Sequence, residues 1–183
     1  RHLTKVQLEL GGKDPVYICD DVDSAAAAAS VADGAFYNAG QSCCAVERVY
    51  VHHGVYKKFL DAFIAAVDGF TIGDPMREDT YIGPLARPQQ LRVLEDQATD
   101  AVTKGAELLR GGRRIDRPGN FFAPTVLVKV NHSMTVMREE SFGPIIGIQA
   151  VAGDEEALRL MADTDYGLTA GVYSRDRTRA ERI

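Results

Sequence analysis

The sequence predicts an α/β fold, a layered α/β/α domain built on a largely parallel β-sheet. Short apolar, β-branched runs alternate with helical segments along the chain, which is the pattern of βαβ units. One run, residues 145–151 (IIGIQAV), is almost continuously apolar, as is typical of a strand buried on both faces. With 183 residues, of which 45% are hydrophobic and 26% charged, the chain can bury the core of one domain.

In the first half of the chain, capping and turn residues mark the ends of the predicted elements. Residues 20–23 (DDVD) are rich in helix-capping side chains, and the alanine run after them has the highest helix propensity. Gly40 is expected to end that helix. The patterns predict strands over residues 5–10, 16–19 and 46–52, and helices from the alanine run to about residue 37 and over residues 55–70.

In the second half, Pro88 is placed to begin a long amphipathic helix as a first-turn proline, and Gly105 ends it. Pro118 and Gly119 form a turn before the next strand. The patterns predict strands over residues 107–110, 125–130, 145–151 and 170–173, and helices over residues 88–104, 154–161 and from residue 177 onward.

Composition argues against several classes of partner. A net charge of −5 and a pI near 5.4 lack the basic footprint of a nucleic-acid-binding protein. No apolar run approaches the ~20 residues that a membrane span needs. The three cysteines are an odd number, and two of them are adjacent, so we expect a reducing compartment, the cytoplasm, rather than a disulfide framework.

The two ends of the chain lead us to expect a piece of a longer protein. The sequence starts without a methionine, almost on a predicted strand, and ends at Ile183 inside a predicted helix. No signal peptide is visible over residues 1–5. No Gly-x-Gly-x-x-Gly fingerprint occurs, so a dinucleotide pyrophosphate loop is not predicted here. His52 and His53 would point to opposite faces of a strand, so we predict no metal site.

Two residues have the chemistry of a covalent catalyst. Cys43 lies in a Gly40-Gln41-Ser42-Cys43-Cys44 loop, and a thiolate there could attack a carbonyl carbon and hold the acyl group. Glu9 precedes it by 34 residues and lies between Leu8 and Leu10, an apolar setting that suits a general base. Taken singly, a cysteine is more often a small buried apolar residue and a glutamate more often solvated.

The order of four segments resembles the NAD(P)-dependent aldehyde dehydrogenase superfamily. Residues 8–15 (LELGGKDP) match its glutamate motif, and residues 36–47 (FYNAGQSCCAVE) match its cysteine motif. Two later segments agree in order, residues 137–144 (MREESFGP) and residues 166–172 (YGLTAGV). The resemblance extends over essentially the whole chain.

The resemblance implies a domain organisation and a set of site residues. Residues 1–10 would be the end of a cofactor-binding domain or its linker strand, and residues 11–183 a catalytic domain that is incomplete at its C-terminus. The cofactor would be NAD or NADP, the substrate a small aldehyde, and the full-length protein a homo-oligomer. The implied roles are a nucleophile at Cys43, a base at Glu9, cofactor contacts at Glu140, Phe142 and Leu10, and substrate contacts at Ser42 and Cys44.

Alternative functions remain open at this point. A related enzyme could pass the acyl group to coenzyme A instead of water, a hydrolase could use Cys43 without a cofactor, and a non-catalytic relative could be structural. Glu140 could simply be solvated, and Ser42 could be an ordinary loop serine. Arg48 follows the cysteine loop and is expected to pair with a carboxylate that the sequence does not identify.

Overall fold

Six strands form one mostly parallel sheet in the computed structural model, which describes residues 3–183. The order across the sheet is β3-β4-β5-β2-β1-β6, and only β3 runs antiparallel to its neighbour. The strands are β1 (Asp14–Ile18), β2 (Val46–His52), β3 (Glu107–Arg110), β4 (Thr125–Val128), β5 (Ile145–Val151) and β6 (Gly171–Tyr173).

Helices cover both faces of this sheet. The helices are α1 (Ser24–Phe36), α2 (Tyr56–Asp68), α3 (Pro88–Thr103), α4 (Asp154–Ala162) and α5 (Arg177–Ala180), with 3₁₀ turns at Tyr37–Gly40 and Thr135–Met137. One apolar cluster joins α1 and α2 to the sheet, and a second joins α3 and α4 to its other face. No helix in residues 3–183 has both the length and the apolar character to cross a bilayer.

Alternation along β1 explains how one strand serves both clusters. Val16 and Ile18 belong to the cluster under α1 and α2, whereas Tyr17 and Cys19 belong to the cluster under α3 and α4. Successive side chains of a strand point to opposite faces, so each face of β1 is buried by a different helical layer. The predicted α/β/α fold with a largely parallel sheet is therefore confirmed.

Helix α1 delivers the chain to the cysteine loop. The Asp23 side chain accepts hydrogen bonds from the backbone N–H groups of Ala25 and Ala26, which confirms the predicted N-terminal cap. The helix ends at Phe36, and Asn38 and Ala39 then adopt left-handed conformations with φ of 50° and 56°. The chain thus reverses sharply within a few residues of Cys43.

One predicted strand is wrong. Residues 5–10 lie outside any strand and are exposed. A strand needs a neighbouring strand to pair with its backbone groups. Both sides of β1 are already paired, with β2 and with β6, and residues 5–10 pair with neither of these strands nor with any other. The other predicted elements occur within about three residues of their expected bounds. The first two residues of the expected linker, Arg1 and His2, lie outside the described residues.

Candidate active site

Four chemically informative segments meet at one edge of the sheet. Glu9 precedes β1, Cys43 precedes β2, Glu140 precedes β5 and Tyr166 precedes β6. These four strands are parallel neighbours in the order β5-β2-β1-β6, so their amino ends lie side by side. The topology therefore brings together segments that are far apart in the sequence.

The segment carrying Glu9 and the loop carrying Cys43 are in backbone contact. A Cβ atom added to Gly12 would lie 2.3 Å from the carbonyl oxygen of Cys43, closer than any side chain could tolerate. Only glycine permits this approach, which explains the glycine at this position of the LELGGK segment. The register agrees, since Val16 pairs with Val49 on the adjacent strand.

The cysteine loop is also fixed against its other neighbours. Gly40 has φ of +70°, and a Cβ there would lie 2.3 Å from the carbonyl oxygen of Gly143 in the loop before β5. The Gln41 side chain accepts a hydrogen bond from the Ala86 N–H at 2.8 Å and donates to the Pro84 carbonyl oxygen at 3.4 Å. Gln41 therefore ties the cysteine loop to residues 84–86.

The two adjacent cysteines differ in exposure and interact directly. Cys43 is half-buried, Cys44 is exposed, and their sulfur atoms are 3.8 Å apart. The hydrogen bond with Cys44 raises the pKa of Cys43 above its ordinary value, and the Glu9 carboxylate raises it further. Within the described chain, these neighbours favour the Cys43 thiol over the thiolate that a nucleophile requires. Ser42 accepts a hydrogen bond from the Tyr37 hydroxyl at 2.5 Å.

Glu9 and Leu10 lie in an open segment. Leu8 is 69% exposed and Leu10 is 81% exposed, so the apolar setting expected around Glu9 is not formed by residues 3–183. The Glu9 carboxylate accepts the Gly11 N–H at 3.2 Å, which turns the side chain back along its own backbone. Within residues 3–183 nothing covers this segment, so the desolvation expected of a general base at Glu9 stays a prediction.

Glu140 faces the Glu9 segment. Its Oε1 accepts the Gly12 N–H at 2.8 Å, and its own backbone N–H donates to the Tyr166 hydroxyl at 3.3 Å. Partial burial raises the pKa of Glu140, and the Gly12 hydrogen bond opposes that rise. Phe142 is half-buried and has φ of 47°, a left-handed conformation that is rare for a bulky residue.

Two buried charged residues at this edge were not singled out from the sequence. Lys13 is 1% exposed and Glu47 is 5% exposed, and the Lys13 Nζ donates to the Glu47 Oε2 at 2.6 Å. Burial lowers the pKa of Lys13, and the attraction of Glu47 opposes that change. No sequence signal marks the pair, because the two charges come together only when β1 and β2 are paired.

Arg48 binds backbone carbonyls and not the expected carboxylate. Its guanidinium is fully buried and donates to the carbonyl oxygens of Leu160 and Met161 at the end of α4, at 3.2 and 3.1 Å. The same group donates to the Lys13 carbonyl oxygen at 2.9 Å. The expectation of a carboxylate partner was therefore wrong, because the unsatisfied carbonyls of a helix end attract the cation equally well.

The site lies on an open edge and not in an enclosed cavity. A cavity of about 450 Å³ lies nearby, and its walls include Lys13, Asp14, Tyr166, Leu168 and Ile183. Neither Cys43 nor Glu140 is among its lining residues. Within residues 3–183, no cluster of three or more His, Cys, Asp or Glu side chains has the geometry to hold a metal ion.

Comparison with known proteins relates this edge to a family of enzymes. The sequence profile of the Aldehyde dehydrogenase family matches residues 1–183. The chain is 38% identical, over 176 residues, to "Succinate-semialdehyde dehydrogenase [NADP(+)] 1" of Mycobacterium tuberculosis, covering 96% of this chain and 38% of that protein.

Two crystal structures resemble it closely. Lactaldehyde dehydrogenase from Escherichia coli has a TM-score of 0.92 and 37% identity, covering 98% of this chain and 38% of that one. Succinate-semialdehyde dehydrogenase from Burkholderia pseudomallei has a TM-score of 0.92 and 39% identity, covering 96% of this chain and 36% of that one. The chain thus spans well under half the length of these relatives, and it belongs to the aldehyde dehydrogenase family.

Proposed function

We propose that this chain acts within a longer enzyme that oxidises an aldehyde to a carboxylic acid with NAD or NADP. The observation that carries the proposal is the meeting of the four segments at the amino ends of neighbouring strands, with Gly12 against the Cys43 carbonyl. The names of the relatives support the reaction class and the cofactors. Because the chain covers only 38% of such a relative, other parts of the site are expected to come from outside these residues.

In the proposed reaction, Cys43 adds as a thiolate to the carbonyl carbon of the aldehyde and forms a thiohemiacetal. The Cys43 backbone N–H, with an asparagine side chain from outside residues 1–183, would stabilise the oxyanion. Bound NAD(P)+ supplies the acceptor for the hydride that leaves this carbon, and Cys43 then carries a thioester. Glu9 takes a proton from water, the resulting hydroxide attacks the thioester, and the acid leaves as the thiolate is restored.

Glu140 and Phe142 fit one side of a nicotinamide ribose site. The Gly12 N–H donates a hydrogen bond to Glu140 Oε1. The other carboxylate oxygen, Oε2, accepts no hydrogen bond from residues 3–183. A ribose hydroxyl could therefore donate to Oε2. A carboxylate paired with ribose hydroxyls is a recurrent arrangement in dinucleotide sites. Leu10 would contact the nicotinamide, and Ser42 and Cys44 would contact the aldehyde.

The decisive experiment is an aldehyde panel run on the full-length protein with NAD+ and NADP+ separately. Succinate semialdehyde and lactaldehyde belong in the panel, because relatives carry those names. We expect reduced cofactor and free acid in equal amounts. An acyl-CoA product formed only in the presence of coenzyme A would instead favour acyl transfer, and ester hydrolysis without any aldehyde oxidation would favour a cofactor-independent hydrolase.

A further inference from the structure

The buried Lys13–Glu47 pair joins three of the segments at the active-site edge. Lys13 follows Glu9 by four residues, and Glu47 follows Cys43 by four residues. The Lys13 Nζ also donates to the Ser141 hydroxyl at 3.0 Å, next to Glu140. The buried pair therefore links the segments that carry Glu9, Cys43 and Glu140.

Glu47 binds the backbone of the loop that carries Glu140 and Phe142. Its Oε2 accepts the Ser141 N–H at 2.8 Å, and its Oε1 accepts the Phe142 N–H at 3.0 Å. Two successive N–H groups thus converge on one carboxylate, an arrangement that stabilises an anion and fixes the turn.

This turn includes an unfavourable backbone conformation. Phe142 has φ of 47°, a strained conformation for a non-glycine residue that persists only where the surrounding contacts impose it. The Glu47 carboxylate supplies the hydrogen bonds that hold Ser141 and Phe142 in this turn. The orientations of Glu140 and of the Phe142 ring therefore depend on Glu47.

Stability alone is a weak explanation for such a pair. Replacing a buried ion pair by apolar residues of similar volume is often neutral or stabilising, because the two charges lose their hydration. An apolar pair could not accept the N–H groups of Ser141 and Phe142, however. The specific contribution of Lys13 and Glu47 is therefore geometric.

We propose that Lys13 and Glu47 are positioning residues for hydride transfer, which hold the Glu140–Phe142 turn at a fixed distance from the Glu9 and Cys43 segments. The inference rests on the proposed function, since it concerns the hydride step of that reaction. Neither side chain is exposed enough to contact a substrate. Their effect acts through the placement of the cofactor ribose, where a displacement of about 1 Å can cost ~100-fold in rate.

The test uses Glu47→Gln in the full-length protein and compares two activities of Cys43. An amide cannot accept both N–H groups and the Lys13 ammonium together, so the turn should move. We expect aldehyde oxidation to fall ~100-fold with a larger kinetic isotope effect for deuterated aldehyde. Alkylation of Cys43 by iodoacetamide and hydrolysis of p-nitrophenyl acetate, neither of which needs the cofactor, should stay close to wild type.

A double variant and a control separate geometry from stability. Lys13→Met with Glu47→Leu removes both charges without leaving one unpaired, so it should fold yet remain defective in hydride transfer. The control, Asp100→Asn, alters a carboxylate that accepts the Thr135 N–H at 2.8 Å and pairs with Lys104 at 2.7 Å. It should lower stability and leave the isotope effect unchanged.

Hydrogen exchange over residues 139–144 gives a readout that needs no turnover, and it should become faster in Glu47→Gln. Full hydride transfer in the double variant, or equal losses of hydride transfer and Cys43 alkylation in Glu47→Gln, would overturn the proposal. If the wild-type protein does not oxidise aldehydes, the proposed function is overturned, and so is the role of Lys13 and Glu47 in hydride transfer. Unchanged exchange in Glu47→Gln would show separately that the carboxylate does not hold the turn.

Discussion

At the scale of single residues, Cys43 and Cys44 are the sharpest test of the proposed chemistry. In the full-length protein, Cys43→Ser should abolish aldehyde oxidation, whereas Cys44→Ser should retain much of it. A serine alkoxide is far harder to form at neutral pH than a thiolate. Steady-state rates and mass mapping of a thiol-reactive reagent check this, and preferential labelling of Cys44 with an active Cys43→Ser would remove Cys43 as the nucleophile.

Glu9→Gln should separate the two halves of the reaction. The variant keeps attack and hydride transfer but loses the base that activates water, so thioester should accumulate. A stopped-flow experiment should show a burst of at most one reduced cofactor per site, followed by slow turnover. If neither a burst nor a bound acyl group is found by mass spectrometry, Glu9 acts before deacylation; an unchanged steady-state rate would mean that it is no base.

Glu140→Gln should act on the hydride step. The amide keeps the shape of the side chain but weakens its pairing with a ribose hydroxyl, and a misplacement of about 1 Å can cost ~100-fold in rate. The loss should be accompanied by a larger isotope effect with deuterated aldehyde. A rate and an isotope effect equal to those of the wild type would show that Glu140 is a solvated loop residue with no part in the hydride step.

The sequence could identify some of these residues and not others. Cys43, Glu9 and Glu140 stand in recognisable segments, and the structure brings those segments together. Lys13 and Glu47 look like ordinary surface charges until the register of β1 and β2 is known, because burial of a charge depends on a partner distant in sequence. The open setting of Glu9 was also unpredictable, since it depends on what covers residues 3–10.

At the scale of elements, Arg48 holds the end of α4 to the sheet. Arg48→Met should remove the guanidinium hydrogen bonds to the carbonyls of Leu160 and Met161, at a cost of about 3 kcal/mol. Hydrogen exchange in the full-length protein should become faster over residues 154–163. Arg114→Met is the matched control, because Arg114 makes an exposed pair with Glu95 that is worth at most ~1 kcal/mol. Equal effects of the two changes would contradict the role of Arg48.

Element prediction succeeded where the local pattern decided the structure. The cap at Asp23, the proline that begins α3 and the apolar run of β5 all signal their elements within a few residues. Residues 5–10 have an equally plausible strand pattern, but a strand also requires a neighbour, and that requirement is not local. The same limitation concealed the partners of Arg48, which lie more than a hundred residues later in the chain.

At the scale of the whole molecule, the 183-residue chain alone should neither oxidise aldehydes nor bind NAD(P)+ measurably. It contains no Gly-x-Gly-x-x-Gly loop, and the proposed contacts of Glu140 and Phe142 would supply only one side of a cofactor site. Few contacts would offset the freedom that a ligand loses on binding, a cost of several kcal/mol at least. Calorimetric titration with NAD+ and NADP+ tests this, and micromolar binding would show that the cofactor site is misplaced.

The position of the site at the amino ends of parallel strands has an electrostatic consequence. In most open α/β sheets ligands bind at the carboxyl ends, where crossover helices present their positive N-termini. Here the crossover helices α1 and α4 run back toward the amino ends, so they present carbonyl termini to the edge that carries Cys43, and the buried Arg48 guanidinium binds those of α4. This edge therefore lacks the helix N-termini that stabilise an anion elsewhere, which agrees with the raised pKa of the Cys43 thiol.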